Sequence, residues 1–297
     1  MKIALMDSGI GLLAAAAAVR RLRPDADLVL SSDPGSMPWG PRTPEDVTRR
    51  ALAVAQAAAA HRPDALIVAC NTASVHALPT LRAELEPGLP VVGTVPAIKP
   101  AAAGGGPFAI WATPATTGSP YQRGLINDFA RAVDVTEVPC PGLADAVEHA
   151  DEQAIDRAVA AAAALTPPDV TDVVLGCTHY ELVAERIRAA VERDRPGRAP
   201  LVLHGSADAV AAQALRRVGA APAPSAEPTG TLTVLLAGHA AGLPVPALAY
   251  AEGLLLKAVS PAISPAIRPC EAPSPGRASP PRVAERGYAA GHDGPPP

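Results

Sequence analysis

An α/β fold built on mainly parallel sheets follows from two features of the sequence. Between Met1 and about Lys257, short apolar runs of strand length alternate with longer helix-like segments, the rhythm of repeated strand–helix units. Two of the runs also end alike. The first reads Ala65-Leu66-Ile67-Val68-Ala69-Cys70-Asn71-Thr72-Ala73-Ser74, and the second Asp172-Val173-Val174-Leu175-Gly176-Cys177-Thr178-His179-Tyr180. Each is an apolar strand, a cysteine, a polar turn and a helix, which points to a duplicated lobe. At 297 residues the chain is long enough to bury two such units.

The strands expected in order are Ile3–Met6, Leu28–Ser31, Ala65–Ala69, Val91–Val95, Phe108–Ala112, Val135–Val138, Val173–Leu175, Leu201–Leu203 and Leu232–Leu236. Met1 to Met6 is apolar, but Asp7 interrupts it too soon for a leader, so it reads as the first strand. Helices fill most of the gaps. The clearest opens at Thr43, whose hydroxyl suits a cap, with Pro44 at the first helical position and Asp46 complementing the helix dipole; it should run to about His61. Beyond residue 259 the chain turns to Ser-Pro and Gly-Pro combinations that offer little for a core, so 260–297 is expected to be a disordered tail.

Composition narrows the function classes. The formal net charge is −4, from 25 basic and 29 acidic residues, so no basic excess points to nucleic acid. No run of the ~18 strongly apolar residues that a spanning helix requires is present. A cytoplasmic protein acting on a small molecule is the expectation. Four cysteines without a close C-x-x-C pair form neither a disulfide framework nor a zinc site, and the histidines lack metal-ligand spacing, so free thiols and no metal are expected.

The paired cysteines carry the chemistry. A thiolate is strong enough to remove an α-proton when the carbanion is stabilised, and a cysteine at a strand end before a helix opening lies in a field expected to lower its pKa. One thiolate and one thiol facing a single cleft would abstract on one side of a carbon and deliver on the other, inverting it without a cofactor. Either cysteine alone would more simply be a small buried residue. The backbone N–H groups and the hydroxyls of Thr72, Ser74 and Thr178 would receive carboxylates.

Three further groups fit around the thiols. Asp7-Ser8-Gly9-Ile10-Gly11 turns at the carboxyl edge of the first strand, where ligands bind in such folds, and Asp7 would repel a phosphate. The acid instead suits a substrate ammonium, or assists Cys70; as a bland alternative it caps a helix. His179 would relay protons to Cys177, and Glu148 would orient it, although Glu148 read alone is a solvated helix carboxylate.

These segments, with Met37-Pro38-Trp39-Gly40 and Gly93-Thr94-Val95-Pro96-Ala97, occur in the order and spacing of the cofactor-independent glutamate racemases, which the chain resembles over about residues 3–220. The resemblance implies two lobes with the active site in the cleft between them, one formed by 1–94 plus 205–259 and the other by 95–204. It implies Cys70 and Cys177 as acid/base residues, and Asp7, Ser8, Asn71, Thr72, Thr178 and His179 as binding substrate or assisting proton transfer. Glu148 matches the partner of that histidine. Thr113, Thr116, Ser119 and Tyr121 match a second-lobe hydroxyl pattern.

The sequence departs from that pattern at three places. Trp39 replaces a usual tyrosine, removing a hydroxyl from the pocket edge and leaving the Gly40 backbone to bind a carboxylate. Leu12 replaces a frequent glycine, and His204-Gly205-Ser206 stands where an aspartate–serine pair is common. The implied activity is racemisation of glutamate for peptidoglycan synthesis, by a protein that family members' habit would make a homodimer. The alternatives are an aspartate, hydantoin or related racemase, a glutamate-binding regulator with weakened catalysis, and a thiol redox protein.

Overall fold

The computed structural model describes residues 1–259 except 194 and 196. The expected tail at 260–297 lies outside the described residues. Among the described residues ten strands form two sheets: β1 Lys2–Asp7, β2 Asp27–Ser32, β3 Ala65–Val68, β4 Val91–Gly93, β5 Phe108–Ala112, β6 Val135–Pro139, β7 Asp172–Leu175, β8 Val202–His204, β9 Leu232–Leu236 and β10 His239–Ala241. The first sheet has the order β10-β9-β2-β1-β3-β4, and the second β6-β5-β7-β8. All pairings are parallel except β9 with β10.

Nine strands match the sequence expectation within two residues. The tenth, β10, was not expected, because His239-Ala240-Ala241 has none of the β-branched residues that mark a strand. It is exposed and exists through its hairpin with β9, turned by Ala237 and Gly238, both at positive φ.

Alternation along the strands distributes side chains to two faces. Ile3, Leu5, Leu28, Leu30 and Ile67 join one core cluster, while Ala4, Met6, Val29, Leu66 and Val68 join another beneath the helix Pro44–Ala59. That helix begins as expected: Thr43 Oγ1 accepts from the Asp46 N–H, at 3.3 Å. In the second sheet Ala109, Trp111, Val173 and Leu175 share the first cluster, whereas Phe108, Ile110 and Val174 face a third. The first cluster thus draws on inner faces of both sheets. Its continuity fixes the two carboxyl-terminal sheet edges relative to each other.

Candidate active site

Asp7, Cys70 and Cys177 each sit at or just past a strand's carboxyl end, whereas Glu148 closes the helix Leu143–Glu148. Cys70 precedes the short helix Asn71–His76 after β3, and Cys177 precedes the 3-10 segment Thr178–Val183 after β7. Their backbones are nearly superimposable, with φ/ψ of −141°/119° and −139°/136°. Asp7 ends β1, and Ser8 follows it.

These residues line one cavity of about 320 Å3. Asp7, Ser8, Cys70, Asn71 and Thr72 come from the first sheet's edge, and Cys177, Thr178 and His179 from the second's. Trp39, Gly40, Thr113 and Thr116 complete the lining, and Gly40 lies close to Thr113. The volume suits a small amino acid. A hydrogen bond of 2.8 Å from Asn71 Nδ2 to the Gly176 carbonyl ties one cysteine motif to the other. Asn71 Oδ1 is buried without a partner, an acceptor suited to an ammonium.

The two thiols have different surroundings. Around Cys177, Sγ lies 3.8 Å from His179 Nδ1, and His179 Nε2 lies 2.9 Å from Glu148 Oε2. The same Glu148 oxygen accepts the Ile10 N–H at 2.8 Å, so the glycine turn after β1 helps hold the carboxylate. Glu148 is 7% exposed, which excludes its reading as a solvated carboxylate. Burial opposes the imidazolium of His179, but its hydrogen bonds with Cys177 and Glu148 prevail and raise its pKa well above the ordinary value. Glu148 does not line the cavity; it stands behind the histidine.

Cys70 lies beside Asp7. Burial pushes the Asp7 carboxyl up to about 6, against the opposing charge of His179 and a hydrogen bond with Cys70. Asp7 Oδ1 accepts the Ser8 N–H at 2.6 Å, so Asp7 caps no helix of its own in the manner of the bland alternative. Burial, and then the Asp7 charge, push the Cys70 thiol well above its ordinary pKa, although the Ala73 N–H acts the other way. This corrects the expected lowering. One N–H at a short helix opening does not offset removal of the thiolate from water.

Other expectations are redistributed. Ser74 does not face the cavity: its hydroxyl donates to the Val68 carbonyl at 3.3 Å and accepts the Thr94 N–H at 2.9 Å, so it fastens β3 to the end of β4. Ser119 caps the helix Pro120–Phe129, and Tyr121 is likewise away from the cavity lining. The Trp39 indole N–H donates to Ser36 Oγ at 2.8 Å and so does not take the place of the missing hydroxyl. His204 pairs with Asp172 at 2.6 Å, a structural contact.

Cys140 was missed as a cavity residue, although it follows β6 as Cys70 follows β3, and that position was the available signal. Burial pushes its thiol up to about 12. The three described cysteines are free. Among the described residues no cluster of three metal-ligating side chains occurs, and no helix is long and apolar enough to cross a membrane.

Comparison with known proteins places this geometry. Residues 11–219 match the family model for Asp/Glu/Hydantoin racemase. A glutamate racemase of Roseiflexus is 36% identical over 197 residues, covering 65% of this chain and 72% of that one. One from Pseudomonas putida is 34% identical over 226 residues, covering 73% and 82%. Among solved structures, Escherichia coli glutamate racemase in complex with L-glutamate and the activator UDP-MurNAc-Ala is 25% identical, with a TM-score of 0.68 over 87% of this chain and 95% of that one. Thermus thermophilus glutamate racemase in complex with β-chloro-D-alanine is 28% identical, with a TM-score of 0.58 over 79% and 87%.

Proposed function

The chain belongs to the Asp/Glu/hydantoin racemase family, and from that premise we propose that it interconverts L- and D-glutamate, supplying D-glutamate for peptidoglycan synthesis. The observation that carries the mechanism is the convergence of Cys70 and Cys177, in matching strand-end conformations, on one small cavity.

In this reading Cys70 and Cys177 are the opposing acid and base. The substrate ammonium sits against Asn71 Oδ1 and Asp7, and its carboxylates meet hydroxyls and N–H groups of Ser8, Gly40, Thr72 and Thr178. With the Cys70 thiol pushed up, Cys70 rests protonated and is the natural donor, and Cys177, with Sγ 3.8 Å from His179 Nδ1, takes the part of the base. Abstraction by Cys177 moves the α-proton to sulfur, and Cys70 delivers its own proton to the opposite face. Catalysis from the other enantiomer uses the same groups in exchanged roles. Thiol chemistry of this kind requires no cofactor.

The lobe boundaries are part of the proposal: 1–94 with 205–259, and 95–204, a division supported by β1–β4, β9 and β10 forming one sheet and β5–β8 the other. A cytoplasmic homodimer is the physiological form proposed.

Proton NMR of L-glutamate and L-aspartate in D2O, without added cofactor, tests the activity: the α-proton signal should fade for glutamate as the D-enantiomer appears, and exchange confined to aspartate would reassign the substrate. Cys70→Ala and Cys177→Ala should each lower turnover by at least ~1,000-fold, since each removes an acid or base for which nothing else substitutes. Full turnover in either variant would remove that cysteine from the mechanism.

A further inference from the structure

A two-thiol racemase finishes each turnover with its protons on the wrong sulfurs. Converting one enantiomer leaves the abstracting thiolate protonated and the donor deprotonated, so a proton must cross back before the same direction can run again. This inference rests on the two-thiol reading above.

The structure holds a line of proton carriers along the wall of the cavity. At one end Cys70 is within hydrogen-bonding reach of the Asp7 carboxyl. At the other, Cys177 Sγ lies 3.8 Å from His179 Nδ1. Between them is Gly11. A methyl group added there would sit 2.4 Å from Asp7 Oδ2, 2.5 Å from His179 Nδ1 and 2.5 Å from Thr178 Oγ1. Three polar atoms from the two sheet edges therefore surround the space where a Gly11 side chain would begin, no two of them more than about 5 Å apart. Asp7, Thr178 and His179 are all buried, and Asp7 Oδ2 meets no N–H or O–H.

We propose that Cys70, Asp7, Thr178, His179 and Cys177 form an internal path that returns the proton between the two sulfurs after product leaves. In one direction the His179 imidazolium passes its Nδ1–H to Thr178 Oγ1 as that hydroxyl releases its own hydrogen to Asp7 Oδ2, and Asp7 gives a proton to the Cys70 thiolate. Cys177 Sγ–H then restores the hydrogen on His179 Nδ1 and becomes the thiolate. One S–H bond breaks and one forms, with no net change elsewhere and no other reactant. Hydrogen-bonded proton transfer needs donors and acceptors in near contact, and small motions of the threonine hydroxyl and the imidazole close gaps of this size. A carboxyl that titrates at about 6 is suited to take and release a proton near neutral pH. Gly11 keeps the gap open where any side chain would fill it.

Tracer perturbation separates this path from return through cavity water. Labelled glutamate is brought to racemic equilibrium, a large excess of unlabelled L-glutamate is added, and transient displacement of the label is followed. Displacement appears when the reset is slow. Thr178→Val should show it strongly, with the reset slowed roughly 100-fold, the scale of losing one positioned proton-transfer group. Thr178→Ser, whatever it does to substrate affinity, keeps the hydroxyl and should show no more displacement than the unmodified chain. Equal displacement in all three proteins would overturn the path.

Should Thr178→Val show no net racemisation, α-hydrogen exchange into D2O is measured in a racemic mixture, where turnovers in opposite directions reset one another. Persistent exchange supports the path, and its loss overturns it, because the hydroxyl would then serve abstraction itself. Glutamate turnover by the unmodified chain is measured first, and its absence would count against the activity reading rather than the path.

Discussion

Asp7 illustrates at the scale of one residue how a site is held at a cost in stability. The carboxyl titrates at 3.8 when exposed and at about 6 in the fold, so between those pH values the folded chain holds a proton that the unfolded chain has lost. Stability contributed by the protonated acid is complete below pH 3.8 and is lost as pH rises through about 6. The shift corresponds to about 3 kcal/mol. Asp7→Asn removes the ionisation while keeping the shape. Urea unfolding should then show a gain on the order of 2 kcal/mol at pH 8 that disappears towards pH 4, in a protein that no longer racemises efficiently. An equal gain at both pH values would mean that the buried charge is not its source. The sequence revealed an acid at this strand end; it did not reveal that the acid would be fully buried, which is what sets its pKa.

Elements are fastened by groups that periodicity does not announce. Arg20, in the helix Leu13–Leu22, is 2% exposed, and its guanidinium donates to the carbonyls of Pro24, Ala26 and Thr231, at 3.0, 2.8 and 3.0 Å. Those carbonyls frame the start of β2 and the approach to β9. Burial lowers the Arg20 pKa from its usual value, as expected for a cation removed from water, and the carboxylates of Asp27 and Asp25 act in the opposite direction. Arg20→Leu would leave buried acceptors unpaired, and thermal or urea unfolding should register a loss of ~2–4 kcal/mol. A loss below ~0.5 kcal/mol would mean that water replaces the guanidinium without difficulty. On the sequence Arg20 is one arginine of a Val-Arg-Arg-Leu helix end and looks solvated; only the fold, which brings the Thr231 carbonyl from 211 residues away to join those of Pro24 and Ala26, gives it a role. Helix Pro44–Ala59 is the opposite case, because its cap, its proline and its apolar face are all local and were legible in order.

Across the whole molecule, single contacts join the segment of the first sheet to that of the second close to the chemistry. Tyr250, after β10, donates its hydroxyl to the Val147 carbonyl at 2.6 Å, one residue before Glu148. Glu181, two residues after His179 in the same 3-10 segment, accepts the Ser206 N–H and hydroxyl, each at 2.8 Å, at the opening of the helix Ala207–Arg217. Both partners are distant in sequence, and both pairings steady the turn that carries His179 or its carboxylate. Tyr250→Phe should cost ~1 kcal/mol of stability and lower kcat more than it raises KM, because Glu148 loses part of its support while the cavity lining stays intact. An unchanged kcat with an equal loss of stability would confine the bond to folding.

What the sequence by itself determined is what local rules govern. Strand-length apolar runs, the alternation that sends Ile3 and Leu5 one way and Ala4 and Met6 the other, the Thr43 cap and the two cysteine turns all act within a few residues of themselves. They specified nine of the ten strands and brought the chemistry to the strand ends. Tertiary structure alone decided which oxygen of Glu148 is shared by His179 and the Ile10 N–H, that Ser74 turns to Thr94 instead of the cavity, and that Cys140 joins the lining. It also reversed the direction expected for the Cys70 thiol. The reason is common to all of these. Hydrogen-bond partners and desolvation are set by groups that approach from distant parts of the chain, and a pKa follows that assembled environment, whereas a strand or a cap answers to its immediate neighbours.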